Sequence, residues 1–151
     1  MTREKISAIV DEALDSLVAE HPDLLDLDVT ERALSHHLAI YIMRLVPPEY
    51  EYDVDVEYNR HGIIPKRLTL KSRRASDREK RATSVFPDII VHKRNSDDNN
   101  LLVLEMKKPG EPLAYDQEKL EAFREELGYQ YAAHVIIGRV NGTTVRDLIW
   151  I

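Results

Sequence analysis

The tightest constraint on how this chain folds is a pair of apolar runs, "VFPDIIVHK" at 85–93 and "LLVLEMK" at 101–107, separated by a polar stretch containing "NSDDNN". Runs of this length, rich in Val, Ile and Leu and bounded by turn-forming residues, predict a hairpin of strands. Alternation along the second run puts Leu101, Val103, Glu105 and Lys107 on one face and Leu102, Leu104 and Met106 on the other. A buried charge costs several kcal/mol unless it is paired, hydrogen-bonded or bound to a metal. Asp88, directly after Pro87, and the same-face pair Glu105 and Lys107 therefore need a reason to be where they are.

The flanking segments predict helices and further strands. Ile6, Ile9, Val10, Ala13, Leu14, Leu17 and Val18 recur at helical spacing until His21-Pro22. A second helix is expected over 29–45, with Ala33, Leu34, Leu38, Tyr41, Ile42 and Leu45 as its stripe and Pro47-Pro48 as its stop. Asp28 with Glu31 three residues on resembles a capping box. The period then changes to two: Tyr50, Tyr52, Val54, Val56 and Tyr58 alternate with Glu51, Asp53, Asp55 and Glu57, a strand with one wet face. Residues 60–81 read as a long, mobile basic insertion with a short strand around 68–70. A helix over 116–127 stops at Gly128, and two strands flank Asn141-Gly142, a tight-hairpin signal. This order implies an α/β chain with a mixed sheet and helices packed on it.

Composition narrows the class. With 151 residues and 43% hydrophobic content the chain suits a single domain, 1–151. Zero cysteines exclude disulfides and thiolate metal sites, which fits a cytoplasmic protein. No window approaches the roughly 20 apolar residues of a membrane span. The net charge of −6 argues against nucleic-acid binding on average. The average hides a local excess, because Arg60, Lys66, Arg67, Lys71, Arg73, Arg74, Arg78, Lys80 and Arg81 face only Asp77 and Glu79.

If Asp88 lies beside Glu105 on neighbouring strands, the two carboxylates supply oxygen ligands for a hard divalent ion such as Mg²⁺, with Lys107 next to them. Pro87-Asp88 and, 17 positions after Asp88, Glu105-Met106-Lys107 resemble the signature of the PD-(D/E)XK nuclease superfamily. The likeness spans roughly residues 29–140. It is similar to small stand-alone members that share an "EYNR" element, here residues 57–60.

The resemblance implies a restriction-endonuclease-like fold, a mixed central sheet of about five strands flanked by helices. It implies Asp88 and Glu105 as metal ligands, Glu31 as a further ligand near the metal, and Lys107 as the catalytic lysine. Mg²⁺, replaceable by Mn²⁺, is the implied cofactor. The implied reaction is hydrolysis of phosphodiester bonds, in DNA rather than RNA, leaving a 5′-phosphate and a 3′-hydroxyl. Asp116, Gln117 and Lys119 fall on the following helix, where members place polar groups facing the site or the nucleic-acid backbone. Arg60, Lys66, Arg67, Arg73, Arg74 and Lys119 are the expected nucleic-acid contacts. A homodimer with paired sites, or a partner subunit that supplies targeting, are the expected assemblies.

Blander readings stand beside these. Glu31 serves equally as the third residue of a capping box. Glu105 and Lys107 also suit a same-face ion pair at a strand end, and the basic run suits a solvated loop. His36 and His37, adjacent on a helix, point about 100° apart and cannot chelate together. His61, His92 and His134 read as isolated structural histidines. A catalytically silent nucleic-acid-binding protein, or a partner-dependent subunit, is the rival function.

Overall fold

The structure, a computed structural model, describes residues 1–58, 60–61, 64–65, 67–68, 83–84, 86–94, 96 and 99–151. Lys66, Arg73 and Arg74, with most of the expected 60–81 insertion, lie outside the described residues. Arg60 and Arg67 belong to two-residue strands described by their backbone.

The N-terminal helix α1 (Arg3–Glu20) begins where the Thr2 hydroxyl accepts the Lys5 N–H, and it ends at His21 because Pro22 opens the short α2 (Pro22–Asp26). The next helix, α3 (Glu31–Leu45), departs from expectation at its start. Its cap is Thr30, whose hydroxyl accepts from Ala33 N–H at 3.3 Å. Asp28 instead has a left-handed backbone, φ 49°, and binds the Lys108 ammonium at 2.6 Å. The capping box is therefore absent, and the Glu31 side chain has no capping role to fill.

A five-stranded sheet, in the order β1-β6-β7-β8-β9, carries the molecule. It consists of β1 (Asp53–Val56), β6 (Ile89–His92), β7 (Leu102–Lys107), β8 (Tyr131–Val140) and β9 (Thr143–Trp150). Between β1 and β6 the backbone forms two small ladders, β2 (Arg60–His61) with β3 (Ile64–Pro65), and β4 (Arg67–Leu68) with β5 (Thr83–Ser84). The sheet is mixed: β7 and β8 run parallel, joined by helix α4 (Ala114–Leu127), and the other pairs are antiparallel. A parallel pair needs such a crossover helix, whereas β8 and β9 need only the tight turn at Asn141 and Gly142, both at positive φ.

Strand alternation sorts the core into two layers. Ile89, Val91, Leu102, Leu104, Met106 and Val135 pack with α1 and α3, and Ile90, Val103 and Ala132 pack with Leu120 and Phe123 of α4. Leu68, in the otherwise basic insertion, is fully buried in this second layer. Each such aliphatic side chain contributes roughly 1.5–3 kcal/mol on burial. Glu105 and Lys107 follow Val103 on the α4 face, so the same alternation that builds the core delivers them beneath the first turn of α4. Among the described residues no helix is long and apolar enough to cross a membrane.

The wet face of β1 is half-buried. Asp55 Oδ2 lies 2.8 Å from His92 Nε2, and the Arg94 guanidinium grips both oxygens of the same carboxylate. His92 is thus paired, not isolated.

Candidate active site

The register that pairs Ile89 with Leu104 sets Asp88, just before β6, opposite Glu105. Asp88 Oδ2 accepts the Met106 N–H at 2.7 Å, so the backbone of β7 itself fixes the first carboxylate. Glu105 is 2% exposed, and on its other side the strand pairing brings the buried His134, whose Nε2 is 3.4 Å from Gln117 Oε1. Lys107 ends β7. Its ammonium stands 3.0 Å from Asp116, 3.8 Å from Glu31 and 3.8 Å from Glu111. Lys119, one turn along α4 from Asp116, reaches Glu105 Oε2 at 2.7 Å and Asp116 at 3.6 Å.

The result is an alternating chain of charge, Glu31 and Glu111 to Lys107 to Asp116 to Lys119 to Glu105, with Asp88 adjoining. Of the sequence-derived residues, Asp88, Glu105, Lys107 and Glu31 are brought together in one cluster. Lys119, expected to reach a nucleic-acid backbone, is instead buried against Glu105. Asp116, expected on the helix after the signature, is a full member of the network, and Glu111 is an addition. The place of Asp116 on that helix, three residues from Lys119 on the same face, was the signal for it. Glu111 had none, because the Pro109-Gly110 turn that brings it back to Lys107 breaks any periodicity.

Burial sets the protonation states. It pushes the Glu105 carboxyl up to about 8, with Asp88 and Asp116 repelling its charge and Lys119 opposing the rise. Burial also raises Asp88, against the pull of the Met106 N–H, and raises Glu31, helped by the neighbouring Glu111 carboxyl. Burial works against both lysines, but hydrogen bonds and adjacent carboxylates carry them above the ordinary range. We take Lys119 as charged and Glu105 as the member of that pair that titrates, because one ammonium does not offset full burial plus two neighbouring carboxylates.

Among the described residues the buried oxygens Glu105 Oε1 and Glu31 Oε1 have no hydrogen-bond partner. A buried unpartnered carboxylate oxygen is costly, and a divalent cation is a partner that removes the cost. Among the described residues no group of three or more His, Asp or Glu is arranged as a ready metal cage. The all-oxygen donor set still suits a hard cation that keeps most of its waters, as Mg²⁺ does. Beside the cluster opens a groove of about 360 Å³, lined by Thr30, Glu31, Arg32, Glu57 and Asp88.

Comparison with known proteins finds no matching family model, and no similar curated protein or solved structure. The functional reading therefore stands on this geometry and on the signature residues.

Proposed function

We propose that the chain is a Mg²⁺-dependent nuclease of the restriction-endonuclease-like fold, hydrolysing phosphodiester bonds in DNA in preference to RNA. One observation carries the reading: Asp88, Glu105 and Lys107 converge where β6 begins and β7 ends, with a buried Glu105 oxygen left unpartnered. Asp88 and Glu105, with Glu31 close by, are the residues that would hold the cation. Once bound, Mg²⁺ supplies Lewis-acid polarisation of the phosphate and makes water a better nucleophile near neutral pH. Lys107, held by Asp116, orients the attacking water or offsets charge developing on phosphate oxygens. Asp116 acts through Lys107 and is a positioning residue.

A second reading has an observation in its favour. The Lys119 ammonium, 2.7 Å from Glu105, already supplies positive charge at the carboxylate, as it would in a catalytically silent binding protein or partner-dependent subunit of the same fold. Cleavage of single- and double-stranded DNA and RNA with Mg²⁺, Mn²⁺ or EDTA, with Lys107→Ala in parallel, separates the two. Metal-dependent cutting that falls on the order of a thousandfold in the variant is the expected result. Binding without cutting, by both proteins and with either metal, overturns the nuclease reading in favour of the second.

A further inference from the structure

Glu57 occupies a place that a glutamate does not adopt cheaply. It follows β1 with φ 51°, in the left-handed region that disfavours side chains. Its N–H donates to the Asp88 carbonyl at 3.3 Å, which ties this strained residue to the backbone of a candidate cation ligand. Its carboxylate crosses to the first turn of α3, where Arg32 Nε and Nη2 both meet Oε1 at 2.8 Å. Arg32 is three-quarters exposed, and among the described residues it is the one basic side chain lining the groove that Glu31 and Asp88 also line.

Backbone strain persists where the surroundings over-determine it, and an observed strained residue beside a candidate site is grounds for a functional hypothesis. A guanidinium is planar and presents a fork of donors that matches a phosphate, and a carboxylate on one edge fixes its plane before a ligand arrives. The groove also carries three carboxylates, so without a cation it repels a polyanion. Phosphate binding there needs a positive group placed in advance at the rim, and Arg32 is that group.

We propose that Arg32, positioned by Glu57, binds the phosphate next to the scissile one in a nucleic-acid strand lying along this groove. The proposal rests on the nuclease reading and goes further, by assigning the strand a path past α3 and giving Glu57 a role. Arg32 is the contact; Glu57 is a positioning residue.

The test is steady-state cleavage by wild type, Arg32→Ala, Arg32→Lys, Glu57→Gln and Glu57→Gly over a range of salt, with thermal melting of each. Arg32→Ala is expected to raise KM roughly tenfold, leave kcat within about twofold, and lower the slope of log KM against log salt by about one. Arg32→Lys is expected to restore the slope but only part of the KM, because an ammonium lacks the fork. Glu57→Gly is expected to hold or raise the melting temperature, since glycine adopts this φ freely, while KM rises severalfold. That combination separates positioning from mere structural support. A wild-type enzyme that cuts, with KM and salt slope unmoved in Arg32→Ala, overturns this inference and leaves the nuclease reading intact. A Glu57→Gly protein that melts lower with unchanged KM overturns the role of Glu57. A wild type that cuts no substrate with any metal overturns the nuclease reading and this inference with it.

Discussion

At the scale of single residues, Glu105 makes the sharpest claim. Its carboxyl titrates near 8 in the folded chain, against an ordinary value of 4.5. A value raised by folding contributes stability that is fully present below about 4.5 and is lost as pH rises through about 8, because ionising the buried group then costs free energy. Glu105→Gln cannot ionise. Melting curves of the two proteins from about pH 5 to about pH 9 should therefore diverge, the wild type falling relative to the variant as pH rises. Added Mg²⁺ should raise the wild-type melting temperature more at the alkaline end, where the carboxylate is already ionised. Parallel curves across the range would contradict the assignment. Cleavage should rise with pH up to about 8 for the same reason, since proton and cation compete for one group.

The residues of this cluster were legible to unequal degrees. Asp88, Glu105 and Lys107 stood out because charge interrupts apolar strand sequence, and a buried charge needs a cause. Lys119 was expected to face the site or a nucleic-acid backbone, not to be buried against Glu105. Only the β7-α4-β8 crossover, which lays the first turn of α4 over the end of β7, turns it inward. Glu57 had no legible role, because a left-handed φ leaves no mark on a glutamate in the sequence.

At the scale of elements, the helices and the β8-β9 hairpin follow local rules. Apolar stripes, Pro22, Gly128 and Asn141-Gly142 set them, and the observed bounds differ from expectation by a few residues. The misread start of α3 shows where such rules run short: Asp28 and Thr30 are both good caps, and the choice fell to Thr30 because Lys108, 80 residues away, holds Asp28. The wet face of β1 was misread for the same kind of reason. Asp55 reads as solvent-facing by alternation, and its partner Arg94 lies 39 residues on.

Packing between elements also bears on the site. A Cβ placed on Gly138 of β8 would sit 2.7 Å from Cδ of Pro109, two residues after Lys107. Neither the strand nor the proline ring yields cheaply. Gly138→Ala should cost about 1–3 kcal/mol of stability by overpacking. It should also lower kcat more than it raises KM, because the turn carrying Glu111 and Lys107 must shift. Denaturant unfolding and cleavage kinetics on one preparation check both parts. Unchanged kcat alongside lost stability would show that the turn can move without disturbing Lys107.

At the scale of the whole molecule, the charged cluster is assembled from all three layers. The sheet supplies two carboxylates at one end, α4 adds the lysine and aspartate that partner them, and α3 adds Glu31 and Arg32 at the rim of the groove. No single layer contains the site. The α/β class and the mixed sheet of five strands were readable from the order of apolar segments. The convergence of α3 on β7 was not, since Glu31 and Lys107 are far apart in sequence and meet only through tertiary packing.

Glu105 is proposed to belong to a cation-dependent phosphodiesterase centre. Cleavage of the preferred nucleic acid by wild type and Glu105→Gln in Mg²⁺ at about pH 8, with melting temperatures taken on the same samples, tests it most directly. A loss on the order of a thousandfold or more is expected in the variant, with a melting temperature equal to or above that of the wild type. Near-normal cleavage by a folded Glu105→Gln protein would contradict it.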